Sequence, residues 1–386
     1  MAREVGIGLL GVGWMGEVHS TSFERVPFHF PDCGARARLV VAADASAERA
    51  QSAVDRLGYA EATTDWRAAL AHPDVDAVCI TAPNFMHREM GLAAAAARKH
   101  VRGEKPLGRT PAETAEIVAA ADAAGIRTIV GLNYRHAPAV QYARQLIASG
   151  ALGAPSHFRM QFVASYSANP RGALSWRFDR ELAGLGILGD LGPHALDLAQ
   201  FLLGPIRRVT ASSALVIPRR PKQEVGTGTH FSVGADDAEL GDVGNEDWAA
   251  GLLEFASGLK GTVELSRVMV GADARYAFEV NCAEGAVRWD FERMNELQVC
   301  TIGATGDRGY ATVMMGPQHP EFVRFQPGQG LGMGFDDLKV VEAYLFLQSI
   351  ADGQQREPGM REMLAAARVI DAMDRSCASG VWEDVR

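Results

Sequence analysis

The sequence predicts an α/β protein of two domains: a doubly wound parallel sheet first, then an α+β domain built on a large, mostly antiparallel sheet. Three observations carry this. The first third alternates short β-branched runs with Ala-rich helical stretches, the pattern of parallel strands joined by crossover helices. After Tyr134 long strand-like runs follow one another with few helices between them. The 386 residues exceed one ordinary domain of roughly 150 residues.

In order, strands are expected at 5–10, 39–43, 77–82, 100–103 and 128–131, with helices at 47–57, 86–98 and 111–124. Gly58 and Gly125 sit where helix C-termini belong. The stretch 27–38, rich in aromatics, Pro and Gly, reads as an inserted loop or lid. The second domain starts with a helix at 140–149. Strands at 156–166, 209–217, 248–256, 262–269, 277–281, 286–290 and 296–300 follow, separated by turn dipeptides such as Ser257-Gly258 and Glu284-Gly285. One helix, 189–203, interrupts that series, and two, 336–351 and 359–376, close the chain. The segments 218–245 and 303–334 read as long polar or Gly/Pro-rich loops. The domains divide as 1–133 and 134–386, with the helix 359–376 free to pack back on the first.

Composition narrows the function classes. Hydrophobic residues make up 47% and charged residues 22%, which argues against a disordered chain. A net charge of −9 with no basic run lacks the electrostatic footprint of nucleic-acid binding. No apolar stretch approaches the roughly 20 residues needed to cross a bilayer. The leader-like stretch 5–15 is broken by four glycines and reads as strand and turn. Five scattered cysteines without a C-x-x-C pair fit neither a disulfide framework nor a zinc knot, and suit a reducing cytoplasm. No metal site is expected.

Gly11-Val12-Gly13-Trp14-Met15-Gly16 follows a predicted strand and opens a predicted helix, the context in which G-x-G-x-x-G binds a dinucleotide. Gly11 allows the tight turn, Gly13 the approach of a diphosphate to the backbone, and Gly16 the close packing of helix on strand. Trp14 and Met15 lie in the same turn. Asp44 ends the second strand, where a carboxylate bonds the adenosine ribose of NAD. Facing a 2′-phosphate it would cost roughly 4 kcal/mol for a charge pair about 4 Å apart at an effective dielectric near 20. NAD is therefore expected, with NADP as second choice through Ser46 and Arg49. A simple helix cap is the alternative for Asp44.

Three further segments carry chemistry: Pro83-Asn84-Phe85-Met86-His87 and Gly103-Glu104-Lys105-Pro106 at strand ends, and Gly189-Asp190-Leu191-Gly192-Pro193-His194 in the second domain. Ligands of open α/β sheets collect at the carboxyl ends of strands, so the first two point at one cleft. Pro106 holds the residue before it extended, which aims Lys105. Asp190 and His194, four apart, share a face if one helix carries both, with Asp197 three further on. A histidine oriented by a carboxylate is a general base for an alcohol proton; a helix cap beside an ordinary surface pair is the alternative.

Together these segments, with Asn133-Tyr134-Arg135 and Gly189-Asp190-x-Gly192-x-His194-x-x-Asp197, resemble the Gfo/Idh/MocA family of NAD(P)-dependent oxidoreductases over essentially the whole chain. The region 289–297 with Asp307-Arg308-Gly309-Tyr310 looks like the branch containing levoglucosan and inositol dehydrogenases. The chain departs from the family at Gly103 and at Gly108-Arg109, neither in the chemistry. The resemblance implies a Rossmann domain, an open-faced sheet domain that packs into homodimers or homotetramers, and a catalytic set of Lys105, Asp190 and His194. Cofactor contacts are expected from Gly11, Gly13, Trp14, Met15, Gly16, Asp44, Pro83, Asn84, His87, Glu104 and Lys105. Substrate contacts are expected from Asn133, Tyr134, Arg135, Tyr166, Trp176 and Arg177 beside the catalytic set, with Asn169 and Asp179 nearby. The implied reaction is oxidation of a secondary ring hydroxyl of a sugar, anhydrosugar or cyclitol by hydride transfer to NAD. Glycoside cleavage by tightly bound, transiently reduced NAD, and a sensor without catalysis, are the alternatives.

Overall fold

The computed structural model describes residues 2–222, 232–235, 237–302 and 306–386. Compactness divides it into two units, one of Met1–His136 with Met333–Leu364, the other of Ala137–Gly332 with Ala365–Arg386.

The first unit begins β1 (Arg3–Leu10), α1 (Trp14–His29), β2 (Ala35–Ala43), α2 (Ala47–Leu57), β3 (Glu61–Thr63), α3 (Trp66–Ala71), β4 (Ala77–Ile80), α4 (Asn84–Ala96), β5 (His100–Gly103), α5 (Pro111–Ala124) and β6 (Thr128–Val130). All six strands are parallel, in the order β3-β2-β1-β4-β5-β6. The order reverses between β1 and β4, and that reversal opens the crevice where dinucleotides bind. β1 and β4 are apolar on both faces, with adjacent Leu9 and Leu10 and adjacent Val78, Cys79 and Ile80 all buried, because helices cover both sides. Ser46 and Thr110 cap α2 and α5 through their side chains, and Gly58 and Gly125 end them in the left-handed conformation.

The lid expected at 27–38 is absent. α1 runs on to His29 and β2 starts at Ala35, so only five residues connect them. Pro27 lies in the last turn of α1, where it lacks the N–H that would bond the Phe23 carbonyl, and the aromatic Phe30 is buried against Tyr344 with ring centroids 4.0 Å apart. The extra length is spent on a longer helix and strand, which accounts for the distance in sequence between Asp44 and the glycines.

The second unit contains α6 (Pro138–Ala148), β7 (Pro155–Ala164), α7 (Arg180–Ala183), α8 (Ile187–Asp190), α9 (Gly192–Leu203), β8 (Ile206–Ala214), β9 (Arg219–Pro221), β10 (Leu240–Asp242), β11 (Trp248–Phe255), β12 (Lys260–Ser266), β13 (Ala274–Cys282), β14 (Gly285–Asp290), β15 (Glu296–Ile302), β16 (Arg308–Met314) and α10 (Phe322–Phe325). Then come α11 (Phe335–Asp352), α12 (Met360–Ser379) and β17 (Glu383–Asp384). Nine strands form one sheet in the order β16-β15-β14-β13-β7-β12-β11-β8-β17. β7 and β12 pair in parallel and the other described pairs are antiparallel. Along β7, Phe158, Met160 and Phe162 are buried while Arg159 and Gln161 face outward, the period-2 alternation of a sheet covered on one face. The outward face is continued by Thr210, Ser212, Leu252 and Glu264, exposed or half-buried.

Two expectations here are corrected. Neither 218–245 nor 303–334 is wholly loop: β9 pairs with β10, and β16 adds an edge strand to β15. Edge strands exposed on both faces, as in 308–312, show no apolar alternation to read. Residues 223–231, 236 and 303–305 of those segments lie outside the described residues. α11 belongs with the first unit, where a division at 133/134 leaves it in the second. Its Phe346, fully buried, lies 6.5 Å from Phe23 of α1.

Phe346→Ala is expected to destabilise the first unit by about 3–5 kcal/mol. A denaturant titration that leaves the midpoint unmoved would show that α11 adds nothing to its core.

Candidate active site

β1 ends in a turn that only glycine permits. Gly11 has φ +106°, and a Cβ there would lie 2.7 Å from the backbone N of Ala82. A Cβ on Gly16 would lie 2.4 Å from the Gly11 carbonyl oxygen. Gly13 differs, since nothing stands within 4 Å of its would-be Cβ. It is the N-cap of α1, whose first turn has no side-chain cap. Open space at Gly13 before uncapped helix N–H groups is a cradle for a diphosphate.

Asp44 is drawn to this turn from the end of β2. Its Oδ2 accepts the Val12 N–H at 2.9 Å, and its Oδ1 accepts Ser46 N and Arg49 Nε, each at 2.9 Å. A carboxylate thus stands beside the cradle where a ribose diol is bonded, and these residues fit NAD. Trp14 is 61% exposed and stacks on Phe335 at 5.9 Å, and Tyr134 tilts against the same ring at 6.1 Å. Phe335 escaped the sequence reading because its only signal is an aromatic residue at a helix start.

Pro83 is the N-cap of α4 and Asn84 its first residue. His87 is buried, its ring nitrogens 2.7 Å from the Ala82 carbonyl and 2.6 Å from that of Pro106. It ties the loop after β4 to the loop after β5, the one carrying Lys105. Lys105 is half-buried. Glu104 is buried beside it, and its Oε2 accepts the Lys105 backbone N–H at 3.2 Å.

Behind Glu104 lies a charged cluster absent from the expected site. Glu104 Oε1 receives Nε2 of His19 and Nζ of Lys339, both at 2.8 Å. Lys339 also reaches Glu342 at 3.4 Å, and Glu342 accepts Arg102 Nε at 2.9 Å. All of these residues are less than 10% exposed. Burial pushes the Glu104 carboxyl up, but the Lys339 ammonium and the His19 hydrogen bond outweigh it and hold it well below the usual carboxylate range. Burial, and next the Arg102 guanidinium, lower His19 to about 4. His19 is therefore neutral at pH 7 and donates Nε2–H to Glu104. The one sequence signal was a Lys339-x-x-Glu342 spacing inside an apolar helix.

Asn133 and Arg135, expected at the substrate, are 1% and 6% exposed, with Arg135 3.5 Å from Glu357. Tyr134 between them is half-buried. His136 is buried and lowered to about 3, by burial and then by the Arg135 charge.

In the second unit one helix over 189–203 is not observed. α8 ends at Asp190 and α9 starts at Gly192. Pro193 has no N–H to continue the ladder, so Asp190 and His194 stand on successive helices joined by Leu191. Asp190 Oδ2 accepts the Tyr166 hydroxyl at 2.5 Å. Burial, and then the Asp190 charge, push the Tyr166 phenol well above its ordinary range, so Tyr166 stays a donor. His194 is buried; its carbonyl accepts the hydroxyl of fully buried Tyr276 at 2.6 Å, and its ring lies 6.1 Å from Phe162. Tyr276 in turn stacks on Phe162 at 4.3 Å. Arg177 lies 4.5 Å over the Trp176 ring, both half-buried. Asp179 is the side-chain cap of α7, and Asn169 accepts the Arg171 N–H. Among the described residues no His, Cys, Asp and Glu group could hold a metal ion, and no helix is long and apolar enough to cross a membrane.

Comparison with known proteins agrees with this geometry. Residues 5–132 match the oxidoreductase family model with an NAD-binding Rossmann fold, and residues 140–288 match that of the GFO/IDH/MocA C-terminal domain. Over 384 residues, 99% of this chain and 98% of the relative, it is 36% identical to levoglucosan dehydrogenase of Pseudarthrobacter phenanthrenivorans. The chain belongs to the Gfo/Idh/MocA oxidoreductase family. Another member, inositol 2-dehydrogenase of Rhizobium meliloti, is 28% identical over 97% of each chain. The solved complex of levoglucosan dehydrogenase with NADH and levoglucosan matches at a TM-score of 0.93 and 35% identity, over 99% of this chain and 100% of that one. As a family member the protein is an NAD-binding oxidoreductase.

The cluster makes stability depend on pH. The unfolded chain protonates His19 near 6.5, the folded protein only near 4, so stability falls as pH drops through that window, by about 2 kcal/mol at pH 5 from this residue. Glu104, held low, loses its own contribution only at lower pH. His19→Gln is expected to remove that share of the loss between pH 7 and 5, read by thermal melts, while the buried His136 keeps a further part. An unchanged pH slope would contradict the assignment.

Proposed function

We propose that the protein is an NAD-dependent dehydrogenase that oxidises a secondary ring hydroxyl of an anhydrosugar of the levoglucosan type, with free hexoses and inositols as the next candidates. The observation that carries the reading is the near full-length similarity to levoglucosan dehydrogenase in a chain that has Lys105, Asp190 and His194 with a hydrogen-bonded support for each.

NAD, when bound at the glycine cradle, supplies the hydride acceptor. The chain's residues supply the rest. Lys105 bonds the reacting oxygen and stabilises its developing negative charge. His194 takes the hydroxyl proton, and Asp190, itself held by the Tyr166 hydroxyl, favours the resulting imidazolium. Tyr276, bonded to the His194 carbonyl, keeps the helix start from shifting. Tyr134, Trp176 and Arg177 give flat faces and donors suited to a polyhydroxylated ring. Five free cysteines fit a reducing cytoplasm as the place of work.

With NAD and a panel of levoglucosan, hexoses and inositols near pH 9, absorbance at 340 nm is expected to rise, most with levoglucosan and faster than with NADP. Lys105→Met and His194→Ala should each lower kcat by about 10²-fold or more while NAD still binds. Turnover unaffected by either substitution would refute these roles.

We further propose that the outward face of the nine-stranded sheet joins two copies of this chain. It exposes Leu252 among alternating polar and charged groups such as Arg159, Gln161 and Glu264, a surface suited to a partner sheet. Light scattering is expected to give a dimer or tetramer for the wild type and a smaller species for Leu252→Glu. A wild type already at the mass of a single chain would contradict this.

A further inference from the structure

Glu104 spends its carboxylate in an unusual way. One oxygen is shared by His19 from α1 and Lys339 from α11, and the other turns back onto the backbone N–H of the next residue, Lys105. Its position is enforced from the other side too. A Cβ on Gly131, just after β6, would lie 2.5 Å from Glu104 Oε1 and 2.7 Å from its Cδ and Oε2. The carboxylate thus occupies the space a side chain at 131 would take. The ionisable groups around it are His19 on α1, Cys79 on β4, Arg102 on β5, and Lys339 and Glu342 on α11.

These groups balance: Glu104 and Glu342 against Lys339 and Arg102, with His19 neutral. Such an arrangement is rigid, because displacing any member strands a buried charge. Rigidity would be of no use under a surface lysine. Under one that must meet a substrate oxygen within a few tenths of an ångström it matters, since a misplacement of about 1 Å costs about 10²-fold in rate.

We propose that Lys339 and Gly131 are positioning residues for the reaction: they hold the Glu104 carboxylate against the backbone of Lys105 and so fix where the Lys105 amine points. The inference rests on Lys105 being catalytic. It assigns α11, distant in sequence from the glycine turn and from Lys105, a part in catalysis without contact to substrate.

The test uses the full chain with NAD and levoglucosan. Lys339→Met and Gly131→Ala are each expected to lower kcat roughly 10- to 100-fold, with KM for NAD changed less than about threefold, and Lys339→Arg to recover most of the loss. Gly131→Ala removes no charge and Gly131 is outside the left-handed region, so it separates displacement of Glu104 from loss of an ion pair. Because Lys339→Met strands a buried carboxylate, the double variant Glu104→Gln with Lys339→Met serves as a second control. It should melt above Lys339→Met yet turn over no faster than Glu104→Gln.

A readout independent of turnover completes it. The chain has five lysines, so after reductive ¹³C-methylation the Lys105 resonance can be identified by its loss in Lys105→Arg. Its titration midpoint should move in Gly131→Ala and in Glu104→Gln. Folded variants with wild-type kcat and an unmoved resonance overturn the inference. A wild type that oxidises no sugar, while the resonance still moves in both variants, would overturn the proposed reaction and leave the coupling of Glu104 to Lys105 standing.

Discussion

A balanced set of buried charges beneath the end of β5 constrains the rest of the first unit. Arg102 and Glu104 point inward from a strand and its exit, where an unpaired charge would be prohibitive. Their partners, Glu342 and Lys339, arrive more than two hundred residues later on α11. Removing one partner of such a pair typically costs 3–5 kcal/mol, so the Rossmann unit is incomplete until the chain has passed through the second unit and returned. This explains why α11, C-terminal in sequence, belongs to the N-terminal unit.

The same constraint organises function. α1 carries the glycine cradle at one end and His19 further along, and His19 bonds the carboxylate adjoining Lys105. The helix that opens at the glycine turn and the loop that carries Lys105 are therefore registered by one hydrogen-bonded group. In the second unit the counterpart is apolar and aromatic: Phe162 supports Tyr276, and Tyr276 holds the backbone of His194. Each catalytic candidate rests on hydrogen-bonded partners of its own unit, the kind of support that a precisely placed site requires.

Much of this was legible in the sequence, because it depends on local chemistry. α2 and α5 were readable to the residue from their helix formers and from Gly58 and Gly125, whose role as C-terminal caps is set by the backbone beside them. The glycine turn was readable from its motif spacing: Gly16 answers to the Gly11 carbonyl within the turn, whereas Gly11 answers to Ala82 at the end of β4. The parts that were not legible depend on partners far away in sequence. The 27–38 stretch looked like a lid because its aromatics had no visible partner; Phe30 finds Tyr344. The break between α8 and α9 follows from Pro193 inside a run of helix formers, a signal outweighed by the attractive spacing of Asp190 and His194. The carbonyl partners of His87, from Ala82 and Pro106, and the burial of Asn133 and Arg135 had no signal in their own segments. Lys339 could be suspected only as a cation in an apolar helix, and nothing in the sequence named Glu104 as its partner.

The proposed reaction is net transfer of a ring hydrogen from sugar to NAD. It is tested most directly by mass spectrometry of the nucleotide after incubation with levoglucosan deuterated on its ring carbons. The account predicts reduced nucleotide one deuterium heavier, in amounts equal to an oxidised sugar that keeps its anhydro bridge. Nucleotide without deuterium, beside sugar opened at its glycosidic bond, would contradict it.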